Sequence, residues 1–460
     1  MFPNAALLSL VALALSSCSS AIHLPRSVHT SRHNLLSAIA GGNAEGRTTR
    51  NALPLRPRAV FADEDGVFDQ DRAHAATVLT LNKHRQNLLN MEANLGTAVL
   101  KLLGAVIKPT AVLPRDVETR LAERQAVWRH KRQSEPLVDE LNDLEWAGYI
   151  SIGTPAKDFY IDFDTGSADL WVPSVDCTSD ACEGKSKYNV SASSTSKKQN
   201  GNFTIMYGDG SSVGGKIYTD VVSVAGVEAP GQYFSAVNEL SSAFKGDPID
   251  GILGLAFASI SNLNQRPFFN TANANSSLPS NQFSFYLAKN DSELYLGGTN
   301  KDRYTGDIEF HDIAEADSGF WDIGDAKIKV DGKSVLSKPF VAIIDSATTI
   351  VYGPPDDVET FYKSIPGATL YDSTNGFYSY PCNSTLEVAF SWGTGRDWVV
   401  TADNFNLGAT EKGSSECIGA LSGLDLGLGD NMWLLGDSFM KNVYSVFDFE
   451  TESIGFAQLA

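Results

Sequence analysis

Residues 133–460 alternate short apolar runs with clusters of turn-forming residues. The runs are rich in Val, Ile, Tyr, Phe and Thr, whereas Gly, Asn, Asp and Ser occupy the segments between them. Side chains of the first kind favour half-buried strands, and those of the second kind favour tight turns. Few windows show the apolar spacing of an amphipathic helix. The pattern therefore predicts a large all-β region.

Two segments of this region share one pattern of residues. The segments 159–174, "FYIDFDTGSADLWVPS", and 340–355, "FVAIIDSATTIVYGPP", each contain an apolar strand, an aspartate, a hydroxyl residue, small residues and a second apolar strand. The two aspartates are Asp164 and Asp345. We expect each of them on a tight turn at the end of a strand.

A second matching pair lies downstream of the two aspartates. It consists of "DGILGLAF" at 250–257 and "MWLLGDSF" at 432–439, in which an apolar pair precedes Gly254 and Gly436. The separation between aspartate and glycine is 90 residues in the first copy and 91 in the second. Two matches at one spacing indicate an internal duplication. The sequence thus predicts two related lobes whose aspartates meet at the cleft between them.

The first 21 residues contain an apolar run, "AALLSLVALALSS", followed by small residues that end at Ala21. This pattern is typical of a secretory signal peptide, residues 1–21, and the run is too short to span a membrane. No later stretch approaches 20 apolar residues. We therefore expect a secreted, extracellular protein without a membrane anchor, with delivery to a vacuole as the alternative.

The net charge of the chain changes sign near residue 132. Residues 1–132 carry 17 Lys and Arg against 10 Asp and Glu, a net charge of +7, whereas residues 133–460 carry 19 against 45, a net charge of −26. The boundary, "RHKR", ends in the dibasic pair Lys131 and Arg132 and resembles a kexin-type processing site. We predict that residues 22–132 are a basic propeptide. A solvated basic patch is the alternative interpretation.

This charge step has a consequence for regulation. A basic propeptide is attracted to an acidic body near neutral pH, and it loses that attraction when the carboxylates are protonated. The sequence therefore predicts a zymogen that acid activates. The charge of −26 on residues 133–460 also opposes binding to nucleic acid.

Four of the five cysteines lie beyond the signal peptide, as a close pair and a distant pair. In an exported chain this number favours two disulfide bonds. The simplest pairing joins Cys177 to Cys182 and Cys382 to Cys417. Acceptor sites for N-glycosylation agree with export. They are Asn189, Asn202, Asn275, Asn290 and Asn383.

Five blocks of the sequence together resemble the pepsin family of aspartic endopeptidases, and its secreted fungal members in particular. The blocks are "FDTGSADLWVPS", "TIMYGDGSS", "DGILGLAF", "IIDSATT" and "LLGDSFMKNVYSVFDFETESIGFA". They agree with the family in order and spacing, from about Leu137 to the C-terminus. The resemblance implies an all-β, bilobal pepsin-like fold with two pseudo-symmetric, β-barrel-like lobes, residues 133–305 and 306–460, and an active-site cleft between them.

The resemblance also implies that Asp164 and Asp345 form a catalytic dyad. Two carboxylates about 3 Å apart cannot both ionise, so they share one proton, and the singly protonated pair both activates water and protonates the leaving amine. We therefore expect an acid endopeptidase that hydrolyses proteins or peptides as a monomer, without a cofactor or metal ion, and that its own propeptide inhibits. Charge alone offers Lys101, Lys108 and Arg115 as the propeptide residues that contact the dyad.

Positions that match the family imply roles for residues around the dyad. One group supports the aspartate loops: Thr165 and Ser346 would connect the two loops, and Ser167 and Thr348 would bond the outer carboxylate oxygens. The whole group is Thr165, Gly166, Ser167, Ser346, Ala347 and Thr348. A second group contacts substrate, mainly from a β-hairpin flap whose closure excludes water. This group is Tyr207, Gly208, Asp209, Trp171 and Asp162.

Two acidic residues bear on substrate choice. Asp209 lies in the predicted flap, and Asp162 precedes the first catalytic aspartate by two positions. Fungal members of the family with an acidic flap residue can accept lysine at the scissile bond. We expect either this preference or a purely structural role for Asp209 in the turn. An apolar cleft would otherwise favour hydrophobic residues on both sides of the bond.

Other enzyme classes are opposed by the sequence. Residues 133–460 contain one histidine, His311, in the plain context "EFHDIAE". A two-histidine metal site is therefore impossible there, and Ser-His-Asp or Cys-His catalysis would depend on that single residue. A two-carboxylate glycoside hydrolase is the remote alternative, but no pair of glutamates or sugar-stacking cleft is evident.

Ala347 departs from the family, which has glycine at this position. A methyl group near the dyad that displaces a reacting group by about 1 Å would slow the reaction roughly 10²-fold. A backbone with positive φ at this position would add strain of about 1 kcal/mol. The alternative to an active protease is therefore a weakened or inactive peptide-binding protein. Both aspartates remain, and neither effect cancels an enzymatic acceleration of at least about 10⁶-fold.

Overall fold

The computed structural model describes residues 51–55, 61–63, 65–131, 146–206, 212–245, 247–288, 291–314, 318–429 and 431–460. Residues 48–460 belong to one unit of contacting elements. The predicted signal peptide lies outside the described residues, as do Arg132, Asn290 and the predicted flap residues Tyr207, Gly208 and Asp209.

The described part of the predicted propeptide is mainly helical. Its elements are β1 (Ala52–Pro54), α1 (Gln70–Leu95), α2 (Thr97–Leu103) and α3 (Arg115–Lys131). Helix α1 begins after Asp69, whose side chain accepts a hydrogen bond of 3.2 Å from the backbone N–H of Arg72. It ends at Gly96, where a φ of +92° suits glycine. Segments before and after residue 132 therefore differ in secondary structure as well as in charge.

The first lobe is built on a seven-stranded sheet. Its region contains β2 (Ala147–Ile152), β3 (Lys157–Asp164), β4 (Leu170–Pro173), β5 (Lys197–Met206), β6 (Ser212–Val224), β7 (Val227–Glu239), β8 (Gly251–Gly254), α4 (Phe268–Ala274), β9 (Gln282–Tyr286) and β10 (Glu293–Leu296). The strand order is β2-β3-β8-β4-β7-β6-β5, and an additional pairing of β2 with β6 closes the sheet. Strand β3 runs parallel to β8, with Asp164 opposite Gly254.

The second lobe repeats this arrangement. Its region contains β11 (Tyr304–Asp312), β12 (Asp322–Val330), β13 (Lys333–Ser334), β14 (Phe340–Ile344), β15 (Val351–Gly353), α5 (Pro355–Lys363), β16 (Thr369–Asp372), β17 (Phe377–Pro381), β18 (Val388–Trp392), β19 (Trp398–Val400), α6 (Ala402–Phe405), β20 (Asn406–Ala409), β21 (Glu416–Gly419), β22 (Leu421–Gly423), β23 (Met432–Leu435), α7 (Asp437–Met440), β24 (Tyr444–Asp448) and β25 (Ser453–Leu459). Strand β14 runs parallel to β23, as β3 does to β8. Its main sheet has the order β19-β18-β12-β14-β23-β15-β22, and a smaller sheet has the order β16-β17-β21-β20.

A six-stranded sheet joins strands from the three regions of the chain, in the order β1-β10-β9-β24-β25-β11. Its inner strands carry aromatic side chains, and the rings of Phe283 and Phe447 stack with centroids 4.9 Å apart. The prediction of an all-β body made of two related lobes is confirmed. Among the helices of the described residues, none is long and apolar enough to cross a membrane.

Candidate active site

The two aspartates occupy equivalent positions in the two lobes. Asp164 is the last residue of β3, and Asp345 directly follows β14. Their side chains are buried, with exposed fractions of 1% and 0%. The strand before each aspartate pairs in parallel with a strand that leads to a glycine of the second repeated motif. The duplication seen in the sequence is therefore a duplicated strand-and-loop unit that ends in a carboxylate.

The glycines of the second motif are required by the packing of these loops. A Cβ atom at Gly254 would overlap the backbone of Ala168, in the segment after the first aspartate. A Cβ atom at Gly436 would overlap the carbonyl group of Thr348, in the loop of the second aspartate. Each aspartate loop thus folds against bare backbone, which explains why glycine recurs at both positions.

The two aspartate loops are hydrogen-bonded to each other by Thr165 and Ser346. The backbone N–H of Thr165 donates to the Ser346 hydroxyl at 3.0 Å, and the N–H of Ser346 donates to the Thr165 hydroxyl at 2.9 Å. Each hydroxyl then donates across the interface, from Thr165 to the carbonyl of Ile344 at 3.0 Å and from Ser346 to that of Phe163 at 2.6 Å. All these groups are buried, so the network fixes the separation of the loops.

Backbone amides hold one oxygen of each carboxylate. The N–H of Gly166 donates to Oδ1 of Asp164 at 2.8 Å, and that of Ala347 donates to Oδ1 of Asp345 at 3.0 Å. The φ of Ala347 is not positive, so its backbone is not strained. Gly166 has less freedom, because a Cβ atom there would overlap the carboxylate of Asp345.

The outer oxygens of the two carboxylates differ in their partners. The Thr348 hydroxyl donates to Oδ2 of Asp345 at 2.8 Å. Oδ2 of Asp164 is buried without a hydrogen-bond donor among the described residues, although the Ser167 hydroxyl favours its charged form. The two halves of the site are therefore alike in backbone and unlike in side-chain contacts.

Lys83, from helix α1, lies between the two carboxylates. Its Nζ is 3.1 Å from Oδ1 of Asp164, and it is 2.9 Å and 2.8 Å from Oδ1 and Oδ2 of Asp345. Burial opposes the charge on the lysine, but the two aspartates raise the pKa of Lys83 above its usual value. An ammonium group thus occupies the space between the carboxylates.

The charges around Lys83 affect the two aspartates in opposite directions. Burial raises the pKa of Asp164, and the neighbouring charge of Asp345 raises it further, against the opposing effect of Lys83. Burial alone would also raise the pKa of Asp345, but Lys83 and the contact with His84 hold it well below its usual value. The aspartate with more cationic and hydrogen-bonding neighbours is therefore the one that keeps its charge.

His84 is the second ionisable residue that α1 brings to the dyad. Its side chain is fully buried, its Nε2 lies 3.3 Å from Oδ2 of Asp345, and its ring centroid lies 5.6 Å from that of Phe320. Burial lowers the pKa of the His84 imidazole, and the proximity of Lys83 lowers it further, while Asp345 raises it. A neutral imidazole is therefore favoured at this position.

Asparagine side chains fix the rest of α1 in the cleft. Asn87 donates to the carbonyl of Gly166 at 2.7 Å, next to the dyad. Asn90 donates to the carbonyl of Ile260 at 2.9 Å, and Asn94 donates to two further carbonyls of the same segment at 3.0 and 2.9 Å. Helix α1 therefore covers both aspartates and occupies the cleft between the lobes.

The sequence-based candidates for the propeptide contact were not the residues found at the dyad. Lys101 is exposed in α2, Lys108 forms an ion pair with Asp425, and Arg115 begins α3. Lys83 was not among the predicted residues, and the sequence offers only a weak signal for it, since it is the only lysine of α1.

Three further predicted site residues lie in the described part of the chain. Asp162 is buried in β3, opposite Ile252 of β8. Trp171 is buried in β4 and packs edge-on against Phe244, with ring centroids 5.2 Å apart. Lys131 is the last residue of α3. The other flap and processing residues lie outside the described part of the chain.

The predicted disulfide bonds are present, with S–S distances of 1.96 Å for Cys177–Cys182 and 2.03 Å for Cys382–Cys417. Four of the predicted glycosylation acceptors are described, and all four are exposed. They are Asn189, Asn202, Asn275 and Asn383.

His311 contacts groups other than the aspartate dyad. It lies in β11, where its Nε2 is 3.1 Å from Oε1 of Glu309 and its ring is 5.5 Å from that of Trp392. No cluster of three or more His, Cys, Asp or Glu residues in the described ranges is placed to hold a metal ion. The paired carboxylates are thus the group of residues with a geometry suited to catalysis.

Comparison with known proteins agrees with this geometry. The model of the eukaryotic aspartyl protease family matches residues 145–459. An aspartic protease of Phaffia rhodozyma is 40% identical over 327 residues, which cover 70% of this chain and 78% of the relative. Endothiapepsin of Cryphonectria parasitica is 35% identical over 328 residues, 70% of this chain and 76% of the relative. Penicillopepsin-1 of Penicillium roqueforti is 33% identical over 374 residues, 79% of this chain and 90% of the relative.

The family match covers both aspartate loops, both glycine motifs and the strands that connect them. The relatives are similar over most of their own length, so the likeness is not confined to a short motif. The chain therefore belongs to the eukaryotic aspartyl protease family and is an aspartic-type endopeptidase.

Proposed function

We propose that the protein is an acid endopeptidase made as a zymogen, in which Asp164 and Asp345 activate water and residues 22–132 are the inhibitory propeptide. The observation that carries the proposal is the position of Lys83. Its ammonium group contacts both carboxylates from a helix that lies on the N-terminal side of the dibasic pair. Neither a substrate carbonyl nor a catalytic water can take that place while Lys83 occupies it.

The proposed mechanism of peptide hydrolysis begins with the two buried carboxylates after Lys83 has left the site. Close like charges favour a form in which one proton is shared, and the two pKa values then belong to the pair. The charged carboxylate takes a proton from water as the water oxygen attacks the peptide carbonyl carbon. The protonated carboxylate hydrogen-bonds the carbonyl oxygen, and a proton passes to the nitrogen as the C–N bond breaks. The dyad is left with one proton and is ready for another cycle.

Acid would release the propeptide through Asp345 alone of the two aspartates, because the raised pKa of Asp164 favours the bound state at low pH and does not drive release. Lys83 depresses the pKa of Asp345, so this contact stabilises the bound propeptide at pH values above the pKa of the free carboxyl group. The stabilisation is lost as the pH falls and protons compete with the lysine. The raised pKa of Lys83 keeps the lysine charged throughout this range. The switch therefore depends on the acidic partner of Lys83 and not on the charge of the lysine itself.

The inactive alternative, based on Ala347, receives little support from the geometry. The φ of Ala347 is not positive, and its amide holds Asp345 as the glycine amide holds Asp164. A peptide-binding protein without activity would also have no need of a lysine that blocks the dyad. We therefore favour an active enzyme.

Processing and destination are part of the same proposal. Cleavage after Arg132 would separate the basic helices from the acidic body, and N-terminal sequencing that finds Gln133 first would support a kexin-type enzyme. Two disulfide bonds and exposed sequons fit an exported protein, secreted or vacuolar. Asp209 would allow lysine at the scissile bond. Paired peptides with Leu or Lys before that bond test this proposal, and failure to cleave the Lys peptide would contradict it.

A comparison of lysine variants tests the zymogen. The purified precursor is assayed between about pH 7 and pH 3 on denatured globin, with and without a statine inhibitor. We expect the precursor to be latent at pH 7 and active after acid treatment, and Lys83→Met to be active at higher pH because two buried carboxylates lose their counter-ion. Lys101→Met, which changes an exposed lysine of α2, is the matched control.

Two outcomes would contradict the proposal. A Lys83→Met precursor as latent as the wild type would exclude Lys83 as the blocking residue. A folded and processed protein without activity in acid would exclude the protease. Loss of activity in Asp164→Asn would exclude a contaminant as the source of the wild-type activity.

A further inference from the structure

The chain that follows α2 lies along a loop of the second lobe. Residues 105–114 form neither helix nor strand. Within this segment, the backbone N–H of Val106 donates to the carbonyl of Gly427 at 2.8 Å. Residues 424–429, here called the acceptor loop, thus bind an extended piece of the propeptide through the backbone.

This extended segment passes close to the dyad. Asn82, the neighbour of Lys83 in α1, donates to the carbonyl of Ala111 and accepts from its N–H, both at 2.9 Å. Arg85, on the same helix, donates to the carbonyl of Lys108 at 2.9 Å. The turn of α1 that touches the aspartates therefore also holds the extended segment, which places the segment at the edge of the substrate cleft.

The acceptor loop is connected directly to the second aspartate loop. It follows β22, which pairs with β15, the strand that leaves the Asp345 loop. The N–H of Leu424 donates to the carbonyl of Gly353, the last residue of β15, at 3.0 Å. The acceptor loop therefore forms a wall of the cleft on the side of the second lobe.

Two glycines of this loop lie against backbone of the predicted propeptide. A Cβ atom at Gly427 would overlap the carbonyl of Val106, and one at Gly429 would overlap that of Leu103, the last residue of α2. Both glycines have a positive φ, of 77° and 138°. At Gly427 the loop meets the segment through backbone atoms, and such a contact does not depend on the side chain of Val106.

A charge pair adds a side-chain preference to this backbone contact. The ammonium group of Lys108 forms an ion pair with Oδ2 of Asp425, and Oδ1 of Asp425 accepts from the N–H of Gly427 at 2.9 Å. Burial raises the pKa of Asp425, but Lys108 and the Gly427 amide outweigh this effect and lower it. The Asp425 side chain is 60% exposed, so it can be reached from solvent once the propeptide has left.

We propose that the acceptor loop is a substrate subsite in the mature enzyme, and that Asp425 selects substrates with a lysine or arginine at a position away from the scissile bond. The propeptide segment around Lys108 then occupies this subsite as a substrate does. The proposal rests on the proposed function. It differs from the expectation for Asp209 in two ways. The acceptor loop belongs to the second lobe, and the basic substrate residue is not one of the two that form the scissile bond.

The test is a set of peptides that differ in one position. All peptides share one scissile bond between hydrophobic residues. Each peptide carries either Lys or Gln at a single position, which lies within four residues of that bond on either side. The ratio of kcat/KM for Lys over Gln is measured with the mature wild-type enzyme, with Asp425→Asn and with the control Asp403→Asn, which changes an exposed aspartate of α6. Asp425→Lys serves as a second variant if Asp425→Asn is poorly folded.

We expect the wild type and the control to prefer Lys about three-fold at one position, as an exposed ion pair allows. In Asp425→Asn the ratio falls to about one, and in Asp425→Lys it falls below one. The preference is larger near pH 5 than near pH 3, because Asp425 is ionised at the higher pH, and it decreases at high salt.

The results separate the two proposals. If the wild type cleaves every peptide but no ratio depends on residue 425, the acceptor loop is not a charge-selective subsite, and the protease function stands. If the mature wild type cleaves none of the peptides, the proposed function fails and the subsite fails with it.

Discussion

The two aspartate loops of this enzyme are equal in backbone and unequal in electrostatics. In both loops a backbone amide two residues after the aspartate holds one carboxylate oxygen, at 2.8 Å and 3.0 Å. Only Asp345 also accepts from a threonine hydroxyl and contacts the imidazole of His84. The pKa of Asp345 is therefore lowered and that of Asp164 is raised. Duplication of a strand-and-loop unit preserves geometry, whereas the charge state depends on neighbours that were not duplicated.

Removing either carboxylate should have the largest effect, because each loop supplies one half of the dyad. We expect Asp164→Asn and Asp345→Asn each to reduce kcat by at least about 10⁴-fold, because the two groups act as one unit. The measurement is peptide hydrolysis by the processed variants, with thermal unfolding as the check of folding. A variant that retains more than about one hundredth of the activity would show that one aspartate is dispensable.

The glycine of the first loop provides the next largest effect. We expect Gly166→Ala to reduce kcat about 10²-fold, because the new methyl group would displace the carboxylate of Asp345. The matched control is Ala347→Gly, the inverse change in the other loop. The measurement is kcat of both variants and of the wild type, from steady-state kinetics. Equal effects of the two changes would mean that the loops tolerate a methyl group alike.

Of the two aspartates, only Asp345 contacts a histidine, so we expect His84 to contribute to the pH at which the precursor is activated. Burial lowers the pKa of His84, so neutral His84 stabilises the bound propeptide above the usual histidine pKa of about 6.5, and this stabilisation is lost as the pH falls. Without the histidine, release requires protonation of Asp345 opposite Lys83. We therefore expect His84→Gln to move the midpoint of activation down by about one pH unit.

The midpoint is measured from activity after short incubations of the precursor at a series of pH values. His74→Gln changes another histidine of α1 and serves as the control. A midpoint that stays in place in His84→Gln, or that moves equally in both variants, would assign the acid response to Asp345 alone.

The smallest effect is expected from Ala347→Gly. Ala347 has no positive φ, so the change relieves no strain, and kcat/KM should stay within about three-fold of the wild type. Greater freedom of the unfolded chain should lower stability by about 0.5–1 kcal/mol, visible as a slightly lower Tm. A large fall in kcat/KM would instead identify the methyl group as a fitted part of the site.

The sequence predicted the parts of the site that follow from local pattern. The paired aspartates, the loop hydroxyls and the glycine motifs recur at one spacing, so they were found without coordinates. Lys83 could not be found in this way, because it lies 81 residues before Asp164 and 262 before Asp345 and its role depends on how α1 packs. Lys101, Lys108 and Arg115 were predicted from their charge alone, and the charge of a residue does not indicate which face of a helix packs into a cleft.

The same limit applies to substrate choice. The sequence drew attention to Asp209 because it lies in a recognisable motif. Asp425 belongs to "GLDLGLGD", a stretch without a repeat or an obvious partner. Its pairing with Lys108 spans 317 residues, so it becomes visible only in the folded structure.

The asparagines of α1 would hold the predicted propeptide in place through contacts that acid does not weaken. Amide side chains carry no charge at any physiological pH, so the bonds from Asn87 and Asn90 to backbone carbonyls persist when the contacts of Lys83 fail. Acidification should then loosen one turn of the helix while its C-terminal half remains docked. Release of the predicted propeptide would then be a two-step process, and re-docking of the tethered helix would reverse a brief fall in pH. Only cleavage of the chain would make the change permanent.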